Sequence, residues 1–435
     1  MTSPTYSFYA TSVDLQLLRV NVIPAKAGVH EFSRRLKAHD RATGTSGKSD
    51  MLPSGIMGEM DSRSHAWERR FALYAWCVLA YNLVVILWGA VVRATGSGAG
   101  CGEHWPLCQG VVIPHAAQLA TLIEFAHRVS SGLAVVLVVL LLTFAFRQFS
   151  SGHPARRFAV AALFFTLTEG LIGAALVLFG QVGSNASMTR AWVLSLHLTN
   201  TLLLLASLAL TARSAGAAPP AATLQQSHHR DQRVTQRLFS VFSALSVVSA
   251  SSHAEMKPNQ RPVLWYGAGL LAALAIAVTG TIAALADTLF PVPSLAQGFQ
   301  LDFAASVNPL LRLRIIHPLV AVAAGAYLFY LGARAIGSPA SAVARRLAYG
   351  LVSLVILQFL FGALNLALLA PLGMQLLHLL TADLVWITLV LLSAEMLAVR
   401  QPALCSNKPD SGSPAAQAAS ADDGLVSSLG RSMKV

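Results

Sequence analysis

The chain has 435 residues, of which 55% are hydrophobic and only 11% charged. A soluble domain carries about 25% charged residues, so one aqueous globule is excluded, and four cysteines exclude a scaffold built on disulfides. The net charge of +12 is of the kind seen in nucleic-acid binders, but the basic residues fall mainly between apolar runs, where they act as topology determinants instead.

Residues 1–62 contain no membrane-length apolar run and no signal-peptide layout, and they read as a disordered tail. Eight apolar stretches then reach the roughly 20 residues that a bilayer core requires. They cover 71–93, 122–146, 157–179, 190–212, 264–286, 312–336, 344–370 and 375–399. None shows the period of two that marks a membrane barrel. The expected fold is an all-α integral membrane protein whose eight transmembrane helices form two parallel-repeat four-helix bundles. Its parts are the tail, an N-terminal half (63–213), a linker (214–263) of Ala-Pro, Gln-Ser-His and basic residues, a C-terminal half (264–400), and a second disordered tail (401–435).

Arg63, Arg69 and Arg70 precede the first span, and Arg147, Arg156 and Arg157 lie between the second and third. Arg213, Arg230, Arg233, Arg237, Lys257 and Arg261 follow the fourth; Arg345 and Arg346 separate the sixth from the seventh. The alternate loops are poorer in Lys and Arg. The positive-inside rule therefore places both termini and the linker in the cytoplasm.

Marks recur between the halves. Glu124-Phe-Ala-His127-Arg in the second span answers Arg314-Ile-Ile-His317-Pro in the sixth, 190 positions on. Ser195-Leu-His197-Leu-Thr in the fourth answers Leu377-His378-Leu-Leu-Thr in the eighth, and Gly173 in the third answers Gly362 in the seventh. The four histidines are costly in hydrocarbon without partners, and each sits on an even-numbered helix that enters from the outer side. His127 and His197 lie five to seven residues inside their helices, roughly 7–11 Å deep at 1.5 Å per residue. Two imidazoles facing across an apolar slot make a bis-histidine haem site, so the chain predicts two haem pockets near the outer surface. Zinc needs a third or fourth ligand, and none recurs in both halves.

Glu124 shares a helical face with His127, whereas the matching position in the other half is Arg314. Its carboxylate is read as a proton acceptor or as a stabiliser of a developing cation, against an ion pair with Arg128 or Arg93. Arg93, Arg128, Arg312 and Arg314 are candidates for pairing with haem propionates, with interfacial snorkelling the plainer reading. Cys101 and Cys108 are seven apart in the first outer loop, a spacing that allows either a structural disulfide or redox exchange. Cys77 reads as a small buried hydrophobe and Cys405 as an exposed cytoplasmic thiol.

The run Gly89-Ala-Val-Val-Arg93-Ala-Thr-Gly-Ser-Gly98-Ala-Gly-Cys101-Gly-Glu-His-Trp105-Pro-Leu-Cys108, followed by Glu124-Phe-Ala-His127-Arg128, resembles the bacterial haem A synthases. The likeness covers about 71–400. It implies oxidation of the C8 methyl of haem O to a formyl group by two successive hydroxylations, giving haem A for terminal oxidases. It also implies that His317 and His378 hold a cofactor haem b, that His127 and His197 belong to the substrate site, and that Glu124 occupies the catalytic acidic position. Cys101 and Cys108 match the cysteine pair of the family's first outer loop. Some members carry a second pair in the C-terminal half; this chain has no cysteine between its fifth and sixth spans, so at most one outer disulfide is expected.

Mitochondrial relatives usually lack that pair, which favours a bacterial plasma membrane. The implied partners are the haem O synthase (a farnesyltransferase), oxidase assembly factors and an electron-transfer partner; no nucleic acid is expected. The alternative is a di-haem b-type cytochrome exchanging electrons with quinone. It is disfavoured because such cytochromes stack haems across the bilayer with two histidines on each of two helices.

Overall fold

The structure, a computed structural model, describes residues 54–115, 118–216, 261–304, 308–338 and 341–398. Readings of the segments outside these ranges, Cys405 among them, lie outside the described residues. The described chain is helical: α1 (Ser54–Ala94), α2 (Leu119–Gln148), α3 (Pro154–Leu178), α4 (Met188–Gly216), α5 (Arg261–Leu289), the short α6 (Leu295–Phe303) and α7 (Pro309–Arg314), α8 (Ile316–Ile336), α9 (Ala342–Ala367) and α10 (Leu372–Ala398). No extended strand occurs among the described residues.

Among the described residues eight helical segments are long and apolar enough to cross a membrane, from Ala66–Ala94 to Leu372–Ala398, and they coincide with the eight expected spans. The protein is a multi-pass membrane protein. In lipid every backbone N–H and C=O must find its partner within the segment, and a continuous helix does this. Helix starts are fixed locally. The His153 side chain accepts from Ala155 N ahead of Pro154, and Ser341 accepts from Ala344 N.

One expected span differs. The sixth is broken at Ile315, between α7 and α8. Pro318 explains the break: it lacks the N–H that would bond back to the Arg314 carbonyl, and its ring crowds that carbonyl.

α4 and α10 form the centre. In their most apolar windows 61% and 56% of residues are buried, against 17–33% in the other spans, so these two helices carry the protein core while the others face lipid. α4 packs on α3, α5 and α10, and α10 packs on α9, α4 and α5. Hydrogen bonds join the halves: Trp386 Nε1 donates to Leu202 O at 2.6 Å, and Arg213 pairs with Glu395 at 2.9 Å. Tyr74, Tyr81 and Trp88 on α1 donate to the carbonyls of Leu137, Ser130 and Ile123 on α2. Cys77 is exposed on α1, contrary to its reading as buried; on a helix bathed in lipid a weakly polar thiol needs no protein cover.

Candidate functional site

His127 lies eight residues beyond the start of α2, His197 nine beyond the start of α4, and His378 six beyond the start of α10. At 1.5 Å per residue that is about 9–14 Å into the helices, slightly deeper than the sequence suggests because the helices begin earlier than the apolar runs.

Each histidine packs against a glycine on a neighbouring helix. A Cβ added at Gly89 of α1 would lie 3.0 Å from His127 Cε1, and one at Gly280 of α5 would lie 3.0 Å from His317 Cε1. The corresponding distances are 3.1 Å for Gly362 and His378 and 3.9 Å for Gly173 and His197. His127 lies within electrostatic range of His197, and His378 within that of His317. The imidazoles therefore come as two pairs, each lodged in a slot that small residues keep open.

Their ring nitrogens are treated differently. His317 Nδ1 lies 3.2 Å from Thr279 Oγ1 on α5. Nδ1 of His127, of His197 and of His378 is buried without a hydrogen-bond partner. Buried nitrogens without protein partners, arranged in pairs beside glycine-lined slots, fit a flat macrocycle whose metal takes two axial nitrogens. Among the described residues no group of three or more His, Cys, Asp or Glu gathers as a metal cage.

Ahead of His127 in the chain comes the loop between α1 and α2. Cys101 and Cys108 are joined by a disulfide, with Cα atoms 4.4 Å apart and both residues buried. The loop lies against the start of α2, where a Cβ at Gly100 would come within 2.6 Å of the Ala120 backbone, so only glycine fits. Thr121 Oγ1 donates to Gly100 O at 2.8 Å. Glu124, 3% exposed, accepts from Cys101 N through Oε2 at 2.8 Å and from Arg128 through Oε1. Arg128 also donates to the carbonyls of His104 and Leu107, both at 2.7 Å.

In the other half Arg314 plays the corresponding part with opposite charge. It pairs with Asp287 at 2.9 Å and with Asp302 at 2.6 Å, and donates to Gly298 O of α6.

Residues 72–390 match the cytochrome oxidase assembly protein family. The chain belongs to that family. It is 44% identical over 335 residues to a protoheme IX farnesyltransferase of Thermus thermophilus, which covers 77% of this chain and 50% of that protein. It is 40% identical over 113 residues to a haem A synthase of Alkalihalophilus pseudofirmus, 26% of this chain and 38% of that one. With a haem A synthase of Halalkalibacterium halodurans it shares 39% over 127 residues, 29% of this chain and 42% of that one. The chain thus spans about half the length of the Thermus relative, and less of the other two.

In this family member the four arginines singled out from the sequence all have protein partners. Arg93 donates to Ala284 O at 2.7 Å, to Thr288 and to Gln375, reaching from the N-terminal half to the C-terminal one. Arg312 donates to Ala304 O at 3.3 Å.

Two side chains beside the histidines carry more than the sequence reading gave them. Glu169 Oε1 on α3 lies 3.4 Å from His197 Nδ1. Gln358 Nε2 on α9 lies 3.3 Å from His378 Nε2. The sequence holds a signal for both: each stands four residues before its cradle glycine, Gly173 or Gly362, and so on the same helical face.

Proposed function

We propose that this family member is a haem A synthase that oxidises the C8 methyl of haem O to a formyl group by two successive hydroxylations. The observation that carries the reading is the inequality of two otherwise matched histidine pairs. One pair has neutral side chains beside its rings, the Thr279 hydroxyl at His317 Nδ1 and the Gln358 amide at His378 Nε2, while the other has two carboxylates, Glu124 one turn before His127 and Glu169 beside His197 Nδ1. In this reading His317 and His378 hold the resident haem b, and the acid-flanked pair, His127 and His197, receives haem O, where a carboxylate can stabilise charge building at the methyl carbon. Haem A synthase is also the name of the two shorter-matching relatives described above.

When bound, haem b supplies one-electron redox capacity within the same bundle. The protein's own residues orient, exclude water and stabilise charge. Gly89, Gly173, Gly280 and Gly362 keep the slots open. The loop closed by the buried Cys101–Cys108 disulfide covers the outer end of the substrate side. Both oxygens of Glu124 are engaged, which supports an electrostatic role over proton acceptance: a fixed carboxylate in low dielectric favours positive charge building at the methyl carbon. Arg93, Arg128, Arg312 and Arg314 are the candidates for pairing with the propionates, since guanidinium matches carboxylate in a bidentate fork.

The two halves, 63–213 and 264–400, are parallel repeats in this proposal, with the linker and both termini cytoplasmic in a bacterial plasma membrane. Partners are the haem O synthase that supplies the substrate, oxidase assembly factors and an electron-transfer protein. The farnesyltransferase name of the Thermus relative, half of which this chain matches, supports the first of these.

The test is conversion. Expressed in a host that makes haem O but no haem A, the chain should produce haem A. Accumulation of haem O alone, with the protein inserted, would contradict the reading.

A further inference from the structure

We infer that Glu169 is a positioning residue for the N-terminal histidine pair, whose carboxylate backs His197 and strengthens the bond its opposite ring nitrogen makes to a haem iron. The inference rests on the proposed reading of His197 as an axial ligand.

The carboxylate is built into place. Thr201 Oγ1 donates to Oε1, and Asn200 Nδ2 donates to Oε2 at 2.6 Å. Asn200 is itself fixed: its Nδ2 also donates to Phe165 O at 2.9 Å, and its Oδ1 accepts from Thr168 Oγ1 at 2.7 Å. Asn200 and Thr201 are both buried, so little solvent competes for these bonds. Oε1 is thereby held 3.4 Å from His197 Nδ1, one turn along α4 from the Thr201 hydroxyl that steers it. The corresponding position in the other half, 189 residues on, is the neutral Gln358, which meets the other ring nitrogen of His378. The two pockets therefore differ by a formal charge beside one ligand.

A carboxylate next to an imidazole raises the basicity of that ligand and favours ferric over ferrous iron, most strongly where the dielectric is low. Glu169 holds the N-terminal haem at a lower reduction potential than the same pocket would give without the charge.

The experiment is an optical redox titration of the purified protein loaded with haem b and haem O, the N-terminal component being the one absent from His127→Ala. In Glu169→Gln that component should remain low-spin and its midpoint should move to more positive potential, with the C-terminal component unchanged. Thr201→Val, which removes only the steering hydroxyl, should move it the same way by less. This second variant keeps the test open if Glu169→Gln yields little protein. An unmoved N-terminal midpoint in low-spin Glu169→Gln, or in Thr201→Val where that alone is obtained, overturns the inference. Should His197→Ala leave the N-terminal low-spin spectrum unchanged, it is the ligand assignment that falls, and the inference with it.

Discussion

Glu124 accepts the backbone N–H of Cys101 at 2.8 Å, so the disulfide loop and the first turns of α2 are tied at one carboxylate. The same residue pairs with Arg128, which in turn holds the carbonyls of His104 and Leu107. A single side chain thus couples the disulfide loop to the helix that carries His127.

Removing the charge at this point separates chemistry from architecture. Glu124→Gln retains size and one accepting oxygen. We expect it to keep haem b at His317 and His378, to retain haem O, and to stall oxidation at the alcohol stage. Pigment analysis by mass reads each species. Full haem A formation by well-folded Glu124→Gln protein would leave the carboxylate with only its loop-anchoring role.

Cys101→Ser and Cys108→Ser should behave alike, because each removes the same bond. Loss of a native disulfide costs about 2–4 kcal/mol, so thermal stability and yield should fall while turnover per folded molecule changes less. Normal stability with no turnover in either variant would point to thiol redox chemistry instead.

Gly280 tests the slot at His317 and His378, the proposed cofactor pair. Its added Cβ would stand 3.0 Å from His317 Cε1, so Gly280→Val must displace the ring and should abolish the low-spin haem b spectrum. Gly132→Ala is the control, since nothing lies within 4 Å of a Cβ there, and it should bind haem normally. Equal haem content in the two variants would refute the cradle.

Thr279→Val removes the hydroxyl beside His317 Nδ1. Loss of such an orienting partner typically lowers affinity about 10–100-fold. Haem b titration into stripped protein measures it, and unchanged affinity would show that His317 needs no orienting group.

Much of this was legible in the sequence because it depends on local quantities. Hydropathy over 20-residue windows finds the eight spans, and a histidine in hydrocarbon is conspicuous wherever it falls. The break at Ile315 was not found, since an averaging window passes over the single missing donor at Pro318. Arginine partners were out of reach for another reason: Arg93 bonds to Ala284, 191 residues away, and no spacing rule connects them. The part Glu169 plays depends on its distance to His197, which no hydropathy window or spacing reports.

The central claim is that one haem pocket holds a resident cofactor and the other a substrate. Extraction of the pigments from purified protein followed by mass analysis tests it most directly. The account predicts haem b together with haem O or haem A in the wild type, and loss of haem b with retention of haem O in His317→Ala and His378→Ala. Two equivalents of haem b per chain, with no haem O or haem A, would contradict it and identify a di-haem cytochrome.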